Sequence, residues 1–187
     1  ELCSLTFQQG DLSMKNLISS CLFGDGAAAA VVVGEDHPRA AGEGPRVLDT
    51  RTFLYPETED VMGWKVSERG FEVVLSPGVP DVVRDNVGGN VEEHLSDHGM
   101  KLGDVASWVA HPGGPKILEA MQEALGLDDR ALEITWSCLR DRGNLSSASL
   151  LVVLAETMRS ALPEPRSPGI MLAMGPGFCS EMLLVRW

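Results

Sequence analysis

The sequence predicts an α/β fold, and three observations carry the prediction. Apolar runs of strand length alternate with stretches whose apolar residues recur at three-to-four spacing, glycine and proline mark the joins, and the interleaving continues along the whole chain. Runs of strand character fall at residues 2–7, 27–33, 46–52, 71–75, 106–110, 170–174 and 182–187, each rich in β-branched residues or bounded by Gly and Pro. Helical patterns fall at 80–97, 115–125, 128–140 and 146–162. Pro80 and Pro115 suit first helical turns, where a missing N–H costs no hydrogen bond, and Gly99 and Gly126 suit helix ends. Residues 34–45 and 162–169, dense in Pro, Gly and charge, read as exposed connections.

Size and charge limit what such a fold can do. The 187 residues, 44% of them hydrophobic, are enough for one domain with a real core. The net charge of -12 supplies no basic stripe, so nucleic acid and anionic membranes are not expected as partners. No apolar run approaches the ~20 residues of a membrane-spanning helix. Cys3, Cys21, Cys138 and Cys179 form no CxxC pair, so neither a zinc site nor a disulfide framework is signalled, and a reducing cytoplasm is the expected compartment. The chain opens at Glu1 on an apolar alternation, without methionine or a preceding turn, and is expected to be a fragment of a larger protein.

Four loops hold the residue types that do chemistry. In "WVAHPGGP", His111 follows a strand and precedes Pro112, Gly113 and Gly114, so a polar ring stands on a rigid edge beside backbone that a ligand can approach. It can act as base, donor or thiolate partner, or merely cap the strand. In "RGNLSSA", Asn144 precedes a helix. Its amide can cap that helix, or point its NH2 outward and join an imidazole N–H in stabilising an oxyanion. "LFGDGAAAA" completes no GxGxxG and is followed by no P-loop lysine, so it reads as a tight turn opening a buried strand, with Phe23 available to line a cavity. "MGPGFCSE" is a turn between two strands, or the floor of a pocket. His94 and His98, four apart on a helix beside Glu93, have a spacing that can bind zinc. No third ligand is evident in the sequence, so a solvated helix face is expected there and no metal.

Taken together and in order, "LFGDGAAAAVVVG", "WVAHPGGPKIL", "RGNLSSAS" and "GPGFCSEMLL" resemble the C-terminal half of a type III polyketide synthase, of the chalcone and stilbene synthase family, over essentially the whole chain. "ELCSLTFQ" with "GPGFCSE" is more similar to the bacterial branch, which makes tetrahydroxynaphthalene, alkylpyrones, alkylresorcinols or phloroglucinols. The resemblance implies a thiolase-like layered fold, with residues 1–187 as the C-terminal half of a five-layer αβαβα architecture in a homodimer. It implies a Cys-His-Asn catalytic set in which His111 and Asn144 stabilise the enolate formed from malonyl-CoA, before that enolate condenses with an acyl-CoA starter. The nucleophilic cysteine is expected in a missing N-terminal half, so this chain alone is not expected to catalyse condensation. No metal or cofactor is implied beyond CoA thioesters as substrates.

The same resemblance places Phe23 as a gatekeeper between CoA tunnel and cavity, with Val73 where a partner gatekeeper would stand. Cys3, Thr6, Ser146 and Gly175, Pro176 and Gly177 match cavity-lining positions, and Gly113, Gly114 and Lys116 lie where the CoA arm passes. Two other classes remain open at this stage. One is a ketoacyl-acyl-carrier-protein synthase III-like condensing enzyme, whose histidine motif usually has polar residues in place of Pro-Gly-Gly-Pro. The other is a non-catalytic half-domain that binds acyl-CoA or a partner subunit.

Overall fold

The computed structural model describes residues 1–40, 44–68 and 70–187; residues 41–43 of the expected 34–45 connection lie outside that description. Strands β1 (Arg46–Leu54), β2 (Met62–Ser67), β3 (Gly70–Leu75), β4 (Ser107–Ala110), β5 (Pro168–Gly175) and β6 (Cys179–Arg186) interleave with helices α1 (Met14–Leu22), α2 (Val79–Ser96), α3 (Pro115–Leu125), α4 (Glu133–Arg142) and α5 (Ala148–Ser160). Four strands form one sheet in the order β1-β6-β5-β4, and β2 with β3 forms a separate hairpin. Within the sheet, β4 and β5 run parallel while β5–β6 and β6–β1 run antiparallel.

The two-residue period of β5 decides what each face packs against. Ile170 and Leu172 point, with Trp108, Ala110, Met182 and Leu184, into a core closed by Val83, Val87, Val91 and Leu95 of α2 and Leu118, Met121 and Leu125 of α3. Met171 points the opposite way, with Val109 and Val185, against Cys138 of α4 and Val153 of α5. Burial on both faces explains why β5 is an almost unbroken apolar run. The outcome is three layers, helices on either side of one sheet, as the α/β expectation requires.

Two helix contacts depend on single residues. Pro115 stands at the start of α3 after Gly114, and the helix ends at Gly126, whose φ of 61° is left-handed. Helix α2 approaches α3 through Gly88, where an added Cβ would stand 2.5 Å from the backbone oxygen of Ala124.

Several sequence expectations need correction. Residues 2–7 form a 3-10 turn, Cys3–Thr6, not a strand. Residues 27–33 join no strand ladder among the described residues; Val31 and Val32 are 92% and 85% exposed, so the buried strand expected after the Gly-Asp-Gly turn does not form here. A strand needs a ladder partner for its N–H and C=O groups, and nothing described here pairs with this run. The helix expected at 128–140 begins only at Glu133, and the one expected from residue 146 begins at Ala148. Helix α1 and strand β2 were not expected, although both carry a signal. Ser13 caps α1, accepting from the Asn16 N–H, and residues 62–67 alternate.

Gly88→Ala tests the close packing of α2 on α3. A helix alone would gain about 1 kcal/mol from the change, whereas forcing a methyl against backbone costs ~1–3 kcal/mol. The variant is expected to unfold at lower urea; a higher midpoint would mean that the two helices can separate freely.

Candidate active site

His111 stands one residue beyond β4, where its N–H continues the parallel ladder by donating to the Leu172 carbonyl at 2.8 Å. The chain then turns sharply: the Gly113 N–H returns to the His111 carbonyl at 2.9 Å, and Gly114 leads into α3. The imidazole is thereby fixed at the C-terminal end of a parallel strand and the mouth of a helix. Burial pushes its pKa down from 6.5 to about 4, so at neutral pH the ring is neutral, with one nitrogen donating and the other accepting.

Asn144 lies between α4 and α5 and is buried. Its backbone N–H donates to the Leu22 carbonyl at 2.9 Å, and its own carbonyl accepts from the Gly24 N–H at 2.9 Å. The side-chain oxygen accepts from the Ser146 N–H at 2.8 Å, while Nδ2 donates to the Gly113 carbonyl at 3.1 Å. Capping and outward NH2 were alternatives in the sequence; here different atoms of one amide do both. The oxygen holds the turn before α5, and the NH2 crosses to the His111 loop. That NH2 carries a second N–H, for which no acceptor occurs among the described residues. Gly143 makes the approach to residues 22–24 possible: its φ is 72°, and a Cβ there would stand 2.7 Å from the Leu22 oxygen.

Phe23, thus fastened beside Asn144, stands between two cavities. One, of about 450 Å³, is lined by Cys3, Thr6, Phe23 and Val73, together with Ser4 and Asp25. Four of the expected substrate-cavity residues are therefore brought together. Ser4 donates both its N–H and its hydroxyl to Asp25, which ties the 3-10 turn to the Gly-Asp-Gly loop. The other cavity, of about 660 Å³, lies between Phe23 and Gly24 on one side and Pro115, Trp136, Arg140, Arg142 and Gly143 on the other. Lys116 is exposed on the first turn of α3 and lines neither cavity.

Ser146 and the Gly175-Pro176-Gly177 turn also line neither cavity. That turn joins β5 to β6 and is pinned from outside. Phe178 donates its N–H to the Thr58 hydroxyl and accepts from the Tyr55 N–H, both at 2.9 Å. The residues missed in the sequence are Arg140 and Arg142, which give the larger cavity a basic wall in an acidic protein. Their signal was two arginines just ahead of "GN".

None of the described cysteines is within hydrogen-bonding distance of the His111 ring. Burial raises the pKa of the Cys3, Cys138 and Cys179 thiols, which favours the protonated form.

Comparison with known proteins identifies the family and the fold. Residues 47–187 match the family model for the C-terminal domain of chalcone and stilbene synthases. The chain is 49% identical over 187 residues to 1,3,6,8-tetrahydroxynaphthalene synthase of Streptomyces peucetius subsp. caesius, covering 100% of this chain and 49% of that one. It is 39% identical to a putative chalcone synthase of Bacillus subtilis (strain 168), covering 100% of this chain and 52% of that one. The crystal structure of 1,3,6,8-tetrahydroxynaphthalene synthase from Streptomyces coelicolor A3(2), a bacterial type III polyketide synthase, superposes with a TM-score of 0.90 at 33% identity, covering 99% of this chain and 51% of that one. The chain therefore spans about half the length of the relatives it matches.

The depressed His111 pKa has a measurable consequence for stability. Between pH 6.5 and about 4 the unfolded chain binds a proton at this histidine that the folded chain refuses. The stability from keeping the ring neutral is complete above the unfolded value and is lost as the pH falls towards the folded one. His111→Gln, which cannot titrate, is expected to flatten that part of the stability–pH curve in urea unfolding. An unchanged curve would assign the acid sensitivity elsewhere.

Proposed function

The chain belongs to the chalcone and stilbene synthase family, whose C-terminal domain it carries, and from that premise we propose that it supplies the enolate-stabilising half of a type III polyketide synthase. The observation that carries the reading is the bond from the Asn144 side-chain NH2 to the Gly113 carbonyl, which ties the second donor to the loop of the first. A neutral imidazole N–H and a carboxamide N–H held together in this way suit a carbonyl oxygen that gains negative charge.

In this reading the thioester carbonyl of malonyl-CoA faces His111 and Asn144. The bond to the free carboxylate breaks, CO2 leaves, and its electron pair passes into an enolate whose oxygen the two N–H groups hold. The enolate carbon then attacks the carbonyl of an acyl group carried on a cysteine, and the thiolate leaves as the new carbon–carbon bond forms. The raised thiol pKa values of Cys3, Cys138 and Cys179 support placing that cysteine in a second half of the protein. The exposed run at 27–33 and the exposed Leu2, Leu5 and Leu12 are apolar surface for such a half, or for a second copy, to cover. Phe23 then divides the growing chain from the CoA arm, which passes Gly113 and Gly114, with Arg140 and Arg142 offering charge for its phosphates.

The test uses the protein with its cysteine-bearing half and measures CO2 release from malonyl-CoA. Asn144→Ala and His111→Ala are each expected to lower the rate on the order of a hundredfold or more, with far-ultraviolet dichroism unchanged. Undiminished decarboxylation in the Asn144 variant would contradict the donor role.

A further inference from the structure

His94 of α2 is not on the solvated face expected for it, whereas His98, two residues beyond the end of the helix, is exposed. His94 is fully buried, and neither of its ring nitrogens has a hydrogen-bond partner. The third residue that the sequence did not reveal is Asp49 of β1: its Oδ2 lies 3.3 Å from His94 Nε2 and 2.9 Å from His98 Nε2. A β-bulge between Val47 and Asp49 leaves Leu48 without a partner on β6 and re-aims the strand at this point.

We propose that Asp49, His94 and His98 form a binding site for a divalent late first-row cation of the zinc type, fastening the last turn of α2 to the edge strand β1. One ligand atom from each residue lies within 4.8 Å of the others. At metal–ligand lengths of ~2.0–2.2 Å, the edge of a tetrahedron is about 3.3–3.6 Å, close to the His94–Asp49 separation. A small opening of the half-exposed His98 side chain brings the second edge to that length. Two imidazoles and one carboxylate select zinc, cobalt or nickel over the hard, oxygen-seeking magnesium and calcium. A fourth position remains for water on the side where Asp49 and His98 reach solvent.

An ion pair alone explains only half of the arrangement. It satisfies His98 but leaves His94, whose approach to Asp49 falls outside hydrogen-bonding geometry, buried without a partner. A cation placed between them gives the buried Nε2 lone pair a bond. The protonation states also suit ligation: burial lowers the His94 pKa and favours the neutral ring, and the hydrogen bonds that Asp49 makes with the His98 ring and the Thr50 N–H lower that of its carboxyl. Arg51 is the opposing charge nearby. It is paired with Glu93 at 3.5 Å and Asp97 at 2.6 Å, so three carboxylates face one guanidinium, a surplus suited to a dication.

The protein, stripped with chelator, is titrated with CoCl2 and separately with ZnCl2. The expected result is one equivalent of Co(II) with the visible bands of a tetrahedral nitrogen–oxygen site and no thiolate charge-transfer band, together with a zinc-dependent rise in melting temperature. Asp49→Asn and His98→Gln change half-exposed side chains and leave the buried ring in place, so both variants are expected to fold. Each should weaken the metal by at least the ~10–100-fold seen when only a ligand's support is lost. No stoichiometric binding, a thiolate band, or affinity unchanged in both variants would overturn the site.

Discussion

The four hydrogen bonds of Asn144 are the constraint on which the candidate site depends. They fasten the end of α1, the loop after β4 and the entry to α5 to one buried residue. Breaking any of them would strand a polar group out of water, at a cost of about 1–3 kcal/mol, so the three loops hold position together. Gly143 is part of the same constraint, because only a residue without Cβ can adopt its φ so close to the Leu22 carbonyl. Phe23 is placed as a consequence. It lies between two residues bonded to Asn144, and so stands where the two cavities meet.

The sheet supplies the other fixed point. Because β4 is paired in parallel with β5 and buried between helices, its end cannot drift, and His111 is held by the ladder that forms the core. Burial then sets the chemistry of the ring, keeping it neutral through the physiological range. The basic wall of the larger cavity is a local feature of an acidic protein: Arg140 and Arg142 at the end of α4 set positive charge there against a net charge of -12.

What could be read in the sequence follows from how local each signal is. His111 and Asn144 were legible because short motifs fix both the residue and its backbone, and the cavity set of Cys3, Thr6, Phe23 and Val73 came from family resemblance. Residues 27–33 have the composition of a strand, but a strand is a property of two segments, and the described residues provide only one. The 3-10 turn at Cys3–Thr6 replaced an expected strand for a related reason: the Ser4–Asp25 bonds favour a tight turn there. His94 and His98 were visible as a pair. Asp49 was not, since a bulge in a distant strand brings it to them, and no spacing rule spans such a gap.

The most direct test of the account is a double-mutant cycle on malonyl-CoA decarboxylation, comparing His111→Gln, Asn144→Ala and the pair together in the protein with its cysteine-bearing half. On the proposed reading, two donors to one enolate oxygen, held by a shared bond, act as a unit. The account predicts that the double variant loses little beyond the worse single one. Losses that multiply would contradict it, by showing that the two residues serve separate steps.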